Sequence, residues 1–156
     1  MRQGIASRIT IVAVYALAMG YLEAVVVYYI RYAIGDVHAT ASVSSSIALR
    51  FPWGIEMTRE IATLVMLGAV GFLAGREWRE RAAALLWAFA LWDATYYLGL
   101  EILAQWPASL VTQDVYFLLP IPWGGPVWVP LLADAVMTVL ATWLVFGRQL
   151  ADRAVR

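Results

Sequence analysis

Four long runs of apolar residues, separated by shorter polar segments, dominate the hydropathy pattern of this chain. They cover about residues 9–30, 55–75, 82–104 and 127–147. Each run is about 20 residues long or more, which is the length that an α-helix needs to cross the hydrocarbon core of a bilayer. The pattern predicts an all-α integral membrane protein whose four transmembrane helices form an antiparallel bundle, with residues 1–156 as one domain.

The first run is predicted to be a retained transmembrane helix and not a signal peptide. The apolar region of a signal peptide is about 7–15 residues long and is followed by a cleavage site of small residues. The run 9–30 is longer than that, and it contains the charged residue Glu23.

A long connection, residues 107–126, separates the third and fourth runs. Its apolar part, 110–119, is too short to cross a bilayer. It ends in Pro120, Pro122 and Pro126 with two glycines, which exclude a continuous helix. We therefore expect an interfacial or re-entrant hairpin that packs on the helical bundle.

The other long connection, residues 31–54, carries fewer signals. Its serine-rich part, 39–51, is compatible with a short surface helix, although its periodicity is weak. His38 is the single histidine of the chain, and we expect its side chain to be solvated. Trp53 and the later tryptophans Trp106, Trp123 and Trp128 are predicted to lie in an aromatic belt at the outer membrane interface.

The arginine distribution predicts the orientation, because cytoplasmic segments of membrane proteins carry an excess of basic residues. All eleven basic residues are arginine. Eight of them lie in the N-terminal segment, the 76–81 turn and the C-terminal tail, whereas the connections 31–54 and 107–126 hold only Arg31 and Arg50. Both termini are therefore predicted to be cytoplasmic, in what we expect to be a bacterial cytoplasmic membrane.

The amino-acid composition argues against several classes of function, among them nucleic-acid binding and redox chemistry on a haem or an Fe–S cluster. Hydrophobic residues make up 63% of the chain and charged residues only 14%, which indicates a membrane protein. The net charge is zero, so no nucleic-acid partner is expected. Without cysteine and with one histidine, the chain alone is not expected to hold a haem or an Fe–S cluster. The expected partner is the lipid bilayer, and other membrane subunits or a second copy are further candidates.

The candidate chemistry lies in carboxylic acids inside the apolar runs. Glu23, Glu60, Asp93 and Asp134 come from four different predicted helices. An ionised side chain in hydrocarbon costs several kcal/mol or more unless it has a partner or a use. At about 1.5 Å of rise per residue, all four acids lie near the midplane or in the outer half of the bundle. We expect them to face one interior cavity, with Arg59 nearby.

Other residues are candidates for the same site. Arg59 is expected to neutralise neighbouring acids, and Glu56 lies in the first turn of its helix, where a carboxylate complements the helix dipole. Glu101 is expected to extend outward or to pair with Arg31, and Asp114 lies in the hairpin, where it could cap the hairpin or close over the site. Beyond the four acids and Arg59, the primary candidates are Tyr96 and Tyr97, and the secondary ones are Glu56, Glu101 and Asp114.

Three hypotheses for function follow from these residues. The first is a site for a cation, a metal or a proton-linked small ligand that serves transport or membrane-embedded chemistry. A divalent cation held by Glu23, Glu60, Asp93 and Asp134 is one form of it, because hard cations prefer carboxylate oxygens. The Glu-x-x-His pattern of di-iron helical bundles is absent, which disfavours a di-iron centre.

The other two hypotheses use the same acids differently. In the second, the protein is an isomerase-like enzyme that acts on a lipid or small molecule with a protonated carboxylic acid. In the third, it is a non-catalytic subunit of a larger membrane complex, and its acids pair with arginines of a partner chain.

Overall fold

Four long helices form most of the part of the chain that the structure describes. The computed structural model describes the backbone of residues 2–33 and 53–154 and the side chains of 7–33 and 53–145. The predictions for 34–52, including His38, lie outside the described residues. The helices are α1 (Arg2–Ala33), α2 (Trp53–Ala74), α3 (Trp78–Ala104) and α4 (Trp128–Ala154), and two strands, β1 (Gln113–Phe117) and β2 (Trp123–Pro126), lie between α3 and α4.

Each helix contains a segment that is long and apolar enough to cross a membrane. These segments are Ser7–Ala33, Trp53–Ala74, Trp78–Ala104 and Trp128–Val145. Many large apolar side chains on them are exposed outside the protein, as expected where lipid covers them. The prediction of four apolar, membrane-length helices is confirmed, and it indicates an integral membrane protein.

Two helices begin earlier than the hydropathy pattern predicts. α1 begins at Arg2 and α3 at Trp78, whereas the apolar runs begin at about residues 9 and 82. In α3 the charged residues form the first helical turn. Glu80 lies there, where a carboxylate complements the helix dipole, and its Oε2 accepts a hydrogen bond of 2.8 Å from the backbone N–H of Arg76.

α3 lies at the centre of the fold and packs against each of the other three helices, whereas α1 and α2 contact each other much less. Gly20 of α1 lies directly against the backbone of α3, where any larger side chain would collide with the carbonyl oxygen of Trp92. Trp92 is buried in the main apolar cluster together with Met19 and Leu67. α3 therefore presents side chains to every neighbouring element.

The connection between α3 and α4 is a β-hairpin. β1 and β2 pair antiparallel, with Asp114 opposite Gly125 and Val115 opposite Gly124, and the register shifts around Tyr116. Gly124 is required because a side chain there would collide with the carbonyl oxygen of Asp114. The hairpin packs on the helices, as expected, but its two strands were not predicted.

Candidate functional site

All four predicted acids are buried. The exposed fractions are 8% for Glu23, 7% for Glu60, 9% for Asp93 and 6% for Asp134. They do not make the same contacts, however. Glu23 and Glu60 take part in interactions around α2, whereas Asp93 and Asp134 lie together between α3 and α4.

The first group is centred on Arg59, and we call it the Arg59 cluster: Arg59, Glu23, Glu56 and Thr63. Arg59 forms ion pairs with Glu23 of α1 and with Glu56 of its own helix. Its Nε also donates a hydrogen bond of 2.9 Å to Glu56 Oε2. Thr63 Oγ1 donates to Glu23 Oε2 at 3.3 Å. This cluster joins α1 to α2 and balances one arginine against two carboxylates.

Glu60 lies beside the Arg59 cluster but has a different partner. The backbone N–H of Leu118, in the hairpin turn, donates to Glu60 Oε1 and Oε2 at 3.0 Å each. A buried N–H without an acceptor costs about 1–3 kcal/mol. Glu60 therefore anchors the hairpin to α2.

The second group is the Asp93–Asp134 pair. The two carboxyl groups lie close enough for the charge of each to act on the other. No donor among the described side chains reaches either oxygen of Asp134. Two ionised carboxylates at such a distance repel each other strongly in a medium of low dielectric. A proton shared between them, or a cation, would relieve that repulsion.

A cavity of about 240 Å³ begins at this pair, because Asp93 is part of its wall. Five of its lining residues are on α3, at positions i, i+3, i+4, i+7 and i+8, and therefore share one face of the helix. α4 contributes small and apolar side chains from 129 to 133. The five α3 residues are Phe89, Trp92, Asp93, Tyr96 and Tyr97.

The hairpin forms the opposite wall with Asp114, Tyr116, Phe117 and Trp123. The hydroxyl of Tyr97 donates a hydrogen bond of 2.7 Å to Asp114 Oδ2. Burial raises the pKa of Asp114 above its ordinary value, an effect that the Tyr97 hydrogen bond and the charge of Arg31 partly oppose. This wall therefore brings a second carboxyl group to the cavity.

Tyr96 connects the two groups of acids. It lines the cavity, and it lies close enough to Arg59, Arg31, Asp93 and Asp114 to interact electrostatically with all of them. The Arg59 cluster and the cavity are therefore neighbouring parts of one polar region at the hairpin end of the helices.

Glu101 is not part of this region, because its side chain is exposed. Arg31, which was a candidate partner for it, instead lies over the ring of Trp106, 4.2 Å from the ring centroid. Trp106 is only 3% exposed, so its predicted place in an interfacial belt is wrong. Its indole packs on Tyr97 inside the fold, because the chain turns back over α3 at this point.

A metal centre built from the four acids is not favoured by these contacts. Within residues 7–33 and 53–145, no three acidic or histidine side chains form a group that could hold a metal ion. The physical reason is that Glu23 and Glu60 face Arg59 and the Leu118 N–H, whereas Asp93 and Asp134 face each other. The pair alone offers two carboxyl groups, which suit a proton or a single positive charge.

Sequence reasoning named Tyr96 and Tyr97 but missed two hydrogen-bond donors and the other aromatic residues that line the cavity: Phe89, Trp92, Tyr116, Phe117 and Trp123. The two donors are the Thr63 hydroxyl and the Leu118 backbone N–H. Neither residue carries a signal in the sequence, because its role depends on the fold. The aromatic residues of α3 did carry a signal, because their helical spacing around Asp93 marks one face. Comparison with protein-family models, with curated proteins and with solved structures found no match to this chain. The function is therefore inferred from the chemistry of the site.

Proposed function

We propose that this membrane protein binds a small cation at the Asp93–Asp134 pair in exchange for a proton, for transport or membrane-embedded chemistry. The observation that supports this proposal is the state of Asp134. Its carboxyl group is buried and receives no hydrogen bond from any described donor, and the carboxyl group of Asp93 is close enough to act on its charge. Asp93 lines the cavity and would connect the pair to an entering ligand.

The exchange follows from charge balance. A pair of buried carboxylates without a counter-charge is costly, so the pair holds a proton when no other cation is present. A cation that enters the cavity makes the proton unnecessary, and the proton leaves to water. Binding of the cation and release of the proton are thus linked, and the two acids titrate as a unit.

In this proposal the Arg59 cluster has a structural role. Arg59 already satisfies Glu23 and Glu56, and Glu60 is occupied by the Leu118 N–H. These acids have protein partners, which leaves the Asp93–Asp134 pair as the place where an external charge is needed.

We further propose that the hairpin and the cavity lie on the outer side of the membrane. The support is the arginine distribution, which favours both termini in the cytoplasm. A reporter fused at Arg156 and one inserted in the 76–81 turn should then both give a cytoplasmic signal. A signal from the other side would mean that the hairpin and the cavity lie on the cytoplasmic side of the membrane.

Infrared difference spectroscopy of the purified protein in lipid nanodiscs tests the shared proton. The C=O stretch of a protonated carboxyl group is measured as the pH is varied. In Asp134→Asn the new amide can donate a hydrogen bond to the Asp93 carboxylate in place of the shared proton. Asp93 then stays ionised, and in Asp93→Asn the same holds for Asp134. Each single variant should therefore remove the whole protonated signal of the pair.

The control is Glu101→Gln, an exposed acid away from the cavity, which should leave that signal unchanged. If Asp93→Asn and Asp134→Asn each remove a separate, independent part of the signal, the two acids do not share a proton. The proposed exchange at the pair is then wrong.

A further inference from the structure

The cavity beside the Asp93–Asp134 pair is walled by aromatic rings that touch one another. Phe117 lies between Trp92 and Trp123, with ring centroids 6.4 and 6.3 Å away. Tyr116 meets Trp123 edge to face at 5.4 Å. Phe89 meets Trp92 in the same way at 5.2 Å. The rings form a continuous wall that runs from α3 to the tip of the hairpin.

The charged groups of the wall are acidic. Asp93 and Asp114 both line the cavity, and no arginine among residues 7–33 and 53–145 does. Arg31 and Arg59 act on Tyr96 from outside the lining. Rings of Trp, Tyr and Phe attract a positive charge through their negative faces, and more strongly where the cation is desolvated. Acidic side chains and aromatic rings in one lining together favour a positive ligand.

Inorganic cations do not suit such a wall. A strongly hydrated ion loses its water only where several oxygens replace it. Here most of the lining is aromatic or aliphatic carbon. An organic ammonium ion is weakly hydrated, and its alkyl groups also bury apolar surface against the rings. The cavity of about 240 Å³ lies below the range of about 300–1,000 Å³ for drug-sized ligands, so the ligand must be smaller than those.

We infer that the cation taken up at this site is a small organic ammonium ion, held between the aromatic wall and the carboxyl groups of Asp93 and Asp114. This inference rests on the proposed function, because the ammonium ion would replace the proton that the Asp93–Asp134 pair holds. Trp123 has a particular place in it. Its ring is half-exposed at the hairpin tip and lines the cavity, so it forms the entrance side of the wall.

The test uses the full chain in nanodiscs of phosphatidylglycerol, with tetramethylammonium, choline and butylamine as probes and tryptophan fluorescence and calorimetry as readouts. Dimethylbutanol, the uncharged carbon analogue of choline, separates charge from shape. At least one ammonium probe should bind, and dimethylbutanol should bind at least about tenfold more weakly, which corresponds to about 1.4 kcal/mol. Equal binding of choline and dimethylbutanol would overturn the inference.

Trp123→Leu should weaken binding of the ammonium probe by about tenfold, and Trp123→Phe should retain much of it. Trp128→Leu is the matched control, because Trp128 is comparably exposed but does not line the cavity. Asp93→Asn should also weaken binding. Equal losses in Trp123→Leu and Trp128→Leu would contradict a role for the wall.

The ammonium group has two possible sources, a free amine and a lipid headgroup. The comparison is made at about 0.5 M salt, which screens the negative surface of phosphatidylglycerol. If choline then binds more weakly in phosphatidylcholine nanodiscs than in phosphatidylglycerol nanodiscs, headgroups compete for the site, and equal affinities indicate a free amine. If no ammonium probe binds while the infrared experiment detects the shared proton, the organic-ammonium inference fails and the proposed exchange stands. Independent titration of Asp93 and Asp134 would contradict both the organic-ammonium inference and the proposed exchange.

Discussion

The backbone N–H of Leu118 points between the two carboxylate oxygens of Glu60, 3.0 Å from each. This contact joins the turn of the hairpin to α2, although the two residues are 58 positions apart in the chain. It holds the segment that carries Phe117 against the apolar cluster around Trp92. The aromatic wall of the cavity therefore depends on an acid that does not itself line it.

Replacing Glu60 should loosen the hairpin. Glu60→Leu leaves the Leu118 N–H without its acceptor, so we expect a loss of about 1–3 kcal/mol in the free energy of unfolding. Glu60→Gln keeps one acceptor oxygen and should lose less. Denaturation in mixed micelles measures the stability, and hydrogen exchange at the Leu118 amide measures the local effect. Glu101→Leu is the control, and unchanged protection of Leu118 in Glu60→Leu would contradict the anchor.

Arg59→Ala should destabilise the fold strongly, because it leaves Glu23 and Glu56 buried without their counter-charge. Removing one partner of a buried ion pair typically costs about 3–5 kcal/mol. Because the Arg59 side chain is 22% exposed, we expect the lower end of that range. Denaturation of the purified protein measures the loss.

A triple variant separates charge from packing in the same cluster. Arg59→Met combined with Glu23→Gln and Glu56→Gln removes the charges together and should recover most of the stability lost in Arg59→Ala. Arg76→Ala, at an exposed position, should change stability by less than about 0.5 kcal/mol. A fold that tolerates Arg59→Ala as well as Arg76→Ala would refute the neutralising role of Arg59.

The contact between α1 and α3 predicts opposite effects of the same change at two helical glycines. Gly20→Ala forces a methyl group into the carbonyl oxygen of Trp92 and should cost about 1–3 kcal/mol. Gly68→Ala meets no atom within 4 Å and should be neutral or stabilising by up to about 1 kcal/mol, because alanine favours the helix. Thermal unfolding of the two variants tests this, and equal effects would show that α1 does not pack on α3 as described.

Asp114 should make stability depend on pH. Burial raises the pKa of Asp114 in the folded protein, so its protonated form is favoured there. Its contribution to stability is complete below the pKa of the unfolded chain, about 3.9, and is lost as the pH rises through the higher folded pKa. The stability of Asp114→Asn relative to the natural protein should therefore increase with pH over that window.

Among the described residues, five titratable or charged groups on three elements interact with Asp114 in addition to its burial, and Tyr96 of α3 is one of them. The other four are Tyr97 and Asp93 of α3, Arg31 of α1 and Tyr116 of β1. Denaturation at a series of pH values, with Asp114→Asn compared to the natural protein, measures the difference. A difference that does not change with pH would mean that burial does not shift this carboxyl group.

The helices could be predicted from sequence because the length of an apolar run reports the thickness of the bilayer. Their starts could not, since polar residues such as Arg2 and Glu80 extend a helix beyond its apolar run. The strands of the hairpin were missed for a different reason. Their pairing depends on Gly124 lying against Asp114, a contact between segments that hydropathy does not report.

The acids of the site could be identified from sequence because burying a charge is expensive. Their division into two groups could not, since it depends on which way each side chain points. Glu60 faces the hairpin and Asp93 faces Asp134. The aromatic face of α3 was not predicted, although the spacing of Phe89, Trp92 and Tyr96 indicates it.

The most direct test of the central claim is to measure proton release on ligand binding. Weakly buffered protein in nanodiscs is mixed with the ammonium probe that binds, and a pH indicator records the protons released. The natural protein should release a proton as the ammonium ion takes its place at the Asp93–Asp134 pair. In Asp134→Asn the Asp93 carboxyl group is already ionised, so binding of the ammonium ion should release no proton. Binding without release in the natural protein, or the same release in Asp134→Asn, would contradict the exchange at this pair.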